Sequence, residues 1–491
     1  MECFSIFLPA IQNVLFLHTL LMKKSVVNLS LLVGFMLCSF FSVWSQNQPD
    51  DQLKLFQSSD LSKYHFNVEK KAKQLAKNQN ILEYEAALKL YSNSLLRISS
   101  MINSGDFYIN DEISEYIEEM IQKIDPDNDK ETGIYRVLLS RSSVPNAFCV
   151  VDGTVIVNIG LIGLMENESQ LAGVLAHEIS HYRKQHSLKQ MKAFLDDQKS
   201  GRRSYTMQYL SMKYSRESEY EADAAGLNLI ATSPYNAYDY TKALELVTGK
   251  NSDSTGIDIL QFFKSDVFKL DTSLISDKEV KRVLRKASKK ENRTLLSGND
   301  DMFESHPEGQ KRQLAANEIL SSINYTAPSV VLNSDVFLRF QRLARYEIVK
   351  NDYFRADYLQ GLHNALKLSE QYPNDAFAQN MIISNLYWIC NLKSAGVLSD
   401  LLNETEIRNI VSMAKLKLIF RDTPNDEIGK FLFTYLKKIW ELDNSNETVL
   451  YYLASAADIH LGKETAKIHY KNYSNKFPNG IYITSVNEKL Q

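Results

Sequence analysis

The sequence predicts an α+β fold: a helical domain built round a small β-sheet, followed by an all-α helical region. Three observations carry this prediction. Two β-branched runs, 147–151 and 154–159, flank Asp152-Gly153, and Asp-Gly between such runs marks a hairpin. Elsewhere apolar residues recur near a 3.6-residue period, as amphipathic helices require. Gly (18) and Pro (10) are scarce in 491 residues, which argues against a loop-rich all-β chain. Hydrophobic residues at 44% and charged residues at 23% exclude a disordered or fibrous protein. A net charge of -3 leaves no electrostatic footprint for nucleic acid.

Residues 1–45 read as a signal peptide. Met22-Lys23-Lys24 is a short basic start, residues 29–41 are apolar, and Val43 and Ser45 suit the positions before a cleavage at Gln46. On this reading the true start is Met22; the alternative is a two-helix membrane anchor. No later stretch is long and apolar enough to cross a bilayer. A first domain spans 46–330. Within it, residues 60–123 are helical, with Ala86, Leu88, Leu90, Tyr91, Leu95 and Leu96 and then Ile113, Tyr116, Ile117 and Met120 on the repeat. The charged segment 125–132 is a turn, and strands follow at 134–139, 147–151 and 154–159, the last closed by Gly160. Asn167 and Gln170 have capping-box spacing, so a helix starts near Glu168. A second helix fits 205–230 and stops at Ser233-Pro234.

The first of these helices contains His177-Glu178-Ile179-Ser180-His181, an H-E-x-x-H motif. Histidines four apart project from one helix face and can share one metal ion, while Glu178 is placed to take a proton from a metal-activated water. Such a site needs a third protein ligand. The same helix does not supply it, because Lys184 and Ser187 occupy the positions where a longer Gly/His motif would continue. His186, one residue off, is expected to be a solvated helix-end histidine. Glu219 and Asp223 lie four apart in the second helix: Glu219 completes a His/His/Glu set, and Asp223 accepts the outer N–H of a ligating histidine. Glu221 is expected to carry only surface charge.

His177–His181, Glu219 to Asp223 in an E-x-x-A-D setting, and His306-Pro307 with Arg312 resemble the gluzincin peptidases related to the CAAX prenyl endopeptidase and the HtpX heat-shock peptidase. Asn146-Ala147-Phe148, Gly153 and Ile156-x-x-x-Gly160 match the strand pair that precedes the active helix in that family. The resemblance covers residues 80–320 and is strongest to the exported members that join this domain to tetratricopeptide repeats, the β-barrel assembly-enhancing proteases. It implies one zinc ion per subunit on His177, His181 and Glu219, Glu178 as catalytic base, and hydrolysis of peptide bonds in protein substrates. It also implies that His306 and Arg312 stabilise the oxyanion, or that His306 caps the zinc as a fourth ligand. Strand 154–159 either accepts substrate as an added strand or is plain sheet core.

A second domain, 335–491, is helical to its end. Leu450, Leu453, Ala454, Ala466, Tyr470 and Pro478 fall at tetratricopeptide spacings, with a weaker echo at Ala365, Leu366, Leu368 and Tyr372-Pro373. Stacked helix pairs of this kind suit docking of a protein substrate or an envelope assembly partner. The basic run 281–293 reads as a solvated helix face, and Cys149 and Cys390 as free thiols. The expected role is exported, periplasmic protein quality control. The contrasting role is a chaperone-like repeat adaptor with latent or lost proteolysis, which the intact motif disfavours.

Overall fold

The computed structural model describes residues 54–55, 67–77, 81–109, 111–126, 135–199, 216–247, 258–264, 270, 275–297, 309–323, 325–327, 334–398, 402 and 410–491. The leader, the cleavage at Gln46 and His306 lie outside the described residues. These residues divide into two compact units, one within 53–252 and 290–348, the other within 253–289 and 349–491. No described helix is long and apolar enough to cross a membrane.

The first unit is α+β. Its sheet has the order β1-β2-β3-β5-β4, from β1 (Lys54–Leu55), β2 (Phe107–Ile109), β3 (Arg136–Ser140), β4 (Ala147–Cys149) and β5 (Thr154–Asn158). The hairpin forms at Asp152-Gly153: Ala147 pairs with Val157 and Cys149 with Val155, antiparallel. Gly153 takes φ +83°, open to glycine at no steric cost, and the Asp152 side chain accepts from the Thr154 amide at 3.1 Å. On its other side β5 runs parallel to β3, Arg136 beside Thr154 through Ser140 beside Asn158. Covered on both faces and both edges, β5 is an unbroken apolar run in which Val155, Ile156 and Val157 are fully buried. It therefore has no edge to offer a substrate, so of the two readings of 154–159 the sheet-core one holds. Among the described residues the sheet ends in β1 on one side and in β4 on the other.

Two short strands were not foreseen. β2 interrupts the helical reading of 60–123 after Gly105, at φ +76°, turns the chain, and so separates the helices Ile81–Ser104 and Asp111–Ile124. Leaving β5, the chain forms the short helix Ile159–Leu164, in which Gly160 has the Ser143 carbonyl where a Cβ would stand. The helix Glu168–Arg183 follows, capped by the Asn167 side chain, which accepts from the Gln170 amide at 2.9 Å. Every residue from Glu168 to His181 is buried, so this helix threads the core instead of lying on it.

Every element longer than a single bridge among the second unit's described residues is a helix, which fits a tetratricopeptide-like domain. Tyr358–Gln371 packs on Ala376–Ser394, and Glu447–His460 on Lys463–Lys476. Leu450, Leu453, Ala454, Ala466 and Tyr470 lie in the second pair's buried seam. Rings stack between helices, Tyr387 on Tyr452 with centroids 3.9 Å apart and Tyr451 on Tyr482 at 4.1 Å. Cys149 and Cys390 are both free thiols, and burial raises the pKa of each.

His363 in this unit is buried, with Nε2 2.8 Å from Ser412 Oγ. Burial, with a smaller push from Lys367, lowers its pKa from 6.5 to about 4. The unfolded chain therefore binds the proton at a higher pH than the folded one. The stabilisation by neutral His363 is whole above pH 6.5 and is lost as pH falls toward 4, by about 3 kcal/mol. We expect His363→Gln to flatten the fall in urea midpoint over that window; a slope identical to the wild type's would contradict this role.

Candidate metal centre

The helices Glu168–Arg183 and Arg216–Ala231 cross where the chain is smallest. Ala222 is fully buried, and a Cβ on Gly226 would come within 3.2 Å of the Ala176 carbonyl carbon and the His177 amide nitrogen. A side chain there would have to push that backbone away by a few tenths of an ångström, so glycine favours the close approach. It draws Asp223 and Glu219, about one and two turns earlier, over the two histidines.

His177, His181 and Glu219 are buried, and one ligand atom from each lies within 4.8 Å of the others. The Nε2 atoms of His177 and His181 are 3.0 Å apart, and the Glu219 carboxylate oxygens lie 3.6 Å and 3.5 Å from them. Tetrahedral ligands on bonds of about 2.1 Å are separated by about 3.4 Å, so the three donors are spaced as corners around one divalent ion. The local charge also suits a dication. Two buried carboxylates, Glu219 and Asp223, pair with one buried guanidinium, Arg312, and a third buried carboxylate, Glu178, lies next to His177 in the sequence, a formal excess of two negative charges.

Behind the donors stands a hydrogen-bonded layer. Asp223 Oδ1 is 3.0 Å from His177 Nδ1, which directs Nε2 of that ring toward Glu219. Tyr240 Oη lies 3.1 Å from the same Nδ1 and donates to Asp223 Oδ1 at 2.6 Å. Arg312 clasps Asp223 with two N–H groups at 2.7 and 2.6 Å, and its third nitrogen is 3.0 Å from Glu219 Oε2. Burial alone would raise the Asp223 pKa, but hydrogen bonds from Arg312 and His177 outweigh it and hold the carboxyl well below the usual range. Burial would likewise lower the Arg312 pKa, and Asp223 and Glu219 reverse the shift.

Arg312 is 1% exposed; it pairs with Asp223 and Glu219, and its Nη2 also lies 3.4 Å from His177 Nε2. Two expectations need correction here. His186 is not a solvated helix end: it is 2% exposed, with Nδ1 2.7 Å from His181 Nδ1. Glu221, read as plain surface charge, sits 3.1 Å from His186 Nε2. Tyr240 was missed altogether. It arrives 63 residues beyond His177 on the helix Tyr238–Val247, and no local pattern marks it.

We expect Gly226→Ala to cost about 1–3 kcal/mol in chemical denaturation, because the added carbon meets backbone that has no rotamer to yield. A neutral substitution would show that the crossing is not tight.

Residues 109–320 match peptidase family M48. Over 182 residues the chain is 28% identical to the β-barrel assembly-enhancing protease of Escherichia coli (strain K12) and to that of Shigella flexneri, covering 35% of this chain and 36% of each relative. The matched segment thus spans about a third of the length of these curated relatives. Residues 109–320, which contain every side chain of the cluster just described, are a peptidase family M48 domain.

Proposed function

We propose that the chain is an exported, zinc-dependent endopeptidase that hydrolyses peptide bonds of protein substrates in envelope quality control. The observation that carries this reading is the convergence of the His177 and His181 Nε2 atoms and the Glu219 carboxylate, with Glu178 beside His177, inside a metallopeptidase-family domain. Two imidazoles and one carboxylate are a donor set that suits a catalytic zinc ion with an open position.

When bound, zinc supplies Lewis acidity and an activated water. Glu178, about 100° round the helix from His177, takes the proton of the attacking water and passes it to the leaving amine. Asp223 and Tyr240 keep His177 in the tautomer that leaves Nε2 free to bind metal. Arg312 holds Asp223 and Glu219 in register, and the proposal assigns it that role in place of oxyanion contact. His306 keeps its two alternatives from the family resemblance, oxyanion donor or capping ligand. Substrate adds as a strand along the rim of β4, which reads peptide backbone and leaves side chains nearly unread.

We assign peptide hydrolysis to 46–330 and docking of a protein substrate or envelope assembly partner to the helix pairs of 335–491. The β-barrel assembly named for the relatives supports an envelope setting. The intact H-E-x-x-H and Glu219 favour the enzyme over a proteolytically silent adaptor.

Glu178→Gln is expected to retain one zinc per subunit and to lose casein cleavage by about 10²–10⁴-fold. Cleavage at the wild-type rate would reject Glu178 as the base. Amino-terminal sequencing of the exported protein is expected to begin near Gln46; an intact Met1 or Met22 would favour the anchor.

A further inference from the structure

We propose that His186 and Glu221 are positioning residues for the metal: a relay that fixes the ring of His181 as Asp223 and Tyr240 fix that of His177. The inference rests on reading His177, His181 and Glu219 as metal ligands.

The backbone explains how His186 reaches this place. The active helix ends at Arg183 with Lys184 as its cap, whose amide donates to the Ser180 carbonyl at 2.9 Å. Gln185 then adopts φ +55°, the left-handed conformation that a helix end normally gives to glycine. A residue with a Cβ pays about 1–2 kcal/mol there. The reversal lets His186 open the next helix, His186–Lys199, directly beneath His181. On an unbroken helix it would point elsewhere.

The hydrogen bonds then fix one arrangement of protons. His181 leaves Nε2 bare toward the metal point, so its proton sits on Nδ1. That N–H faces His186 Nδ1 at 2.7 Å, which must accept. The proton of His186 accordingly sits on Nε2 and donates to Glu221 Oε2 at 3.1 Å. Glu221 is steadied by Lys184 at 3.4 Å and Lys189 at 4.0 Å. A proton on His186 Nδ1 instead would set two N–H groups against each other across that 2.7 Å contact. One helix, Arg216–Ala231, thus governs both imidazoles: Asp223 acts on His177 directly, and Glu221 acts on His181 through His186. Such outer partners orient the ligand ring and raise its basicity.

The test uses the full-length protein, stripped of metal and titrated with zinc(II) against a chromophoric chelator. His186→Phe is expected to bind zinc 10–100-fold more weakly than the wild type. His186→Gln, whose side-chain oxygen can accept from His181, is expected to recover most of that loss, which restored packing alone would not do. Glu221→Ala shifts affinity in the same direction by several-fold, and Glu221→Gln reverses it. The visible bands of the cobalt(II)-loaded protein are expected to move in His186→Phe, since the donor strength of His181 changes. Zinc affinity of His186→Phe within twofold of the wild type overturns the proposal. If His186→Phe does not fold, Glu221→Ala at its part-exposed position decides, and unchanged affinity there overturns the proposal equally. A wild-type protein that takes up no zinc refutes instead the ligand reading underneath.

Discussion

The close crossing of two helices at Gly226 is the constraint on which the rest of the centre depends. A separation set by backbone against backbone leaves the Glu219 carboxylate at 3.5–3.6 Å from two imidazole nitrogens and Asp223 at 3.0 Å from a third. None of these polar groups would be tolerated in the core singly. Buried carboxylates are stable only when paired and hydrogen-bonded, and Arg312, Tyr240 and the histidines supply that compensation together. The cluster is therefore a mutually dependent set, and the two small residues Ala222 and Gly226 are as much a part of it as the charged ones.

The layer behind the donors is asymmetric. His177 rests on a carboxylate that is itself buried and clasped by a buried guanidinium. His181 rests on another imidazole, and behind that on Glu221, whose side chain is 43% exposed and surrounded by lysines. One ligand is thus anchored in a low-dielectric interior and the other at its margin. Salt and solvent screen the second support far more than the first.

Much of this was legible in the sequence because it is local or periodic. The hairpin follows from Asp152-Gly153, the start of the active helix from Asn167 and Gln170, and the shared face of His177 and His181 from their spacing of four. Glu219 and Asp223 were legible by the same spacing, and their side chains do meet the histidines. What escaped depends on a departure from regular geometry or on distance along the chain. The turn at Gln185 is made by a residue that does not announce it, so His186 was sent to solvent on paper and lies in the core in fact. Tyr240 and the engagement of Arg312 are contacts over 63 and 89 residues that no window of sequence contains. The three-residue strand β2 is too short for alternation to register, and without β2 and β1 the sheet order could not be written.

The brevity of β4 has a consequence for solubility. Thr154–Asn158 carries the Val-Ile-Val run that, laid bare, is the kind of segment that stacks into cross-β fibrils. Its two neighbours seal it, and the rim they leave to the outside is only three residues long. A rim of that length forms too few backbone bonds to zip onto a second copy of itself, yet a peptide held by other contacts can still use it.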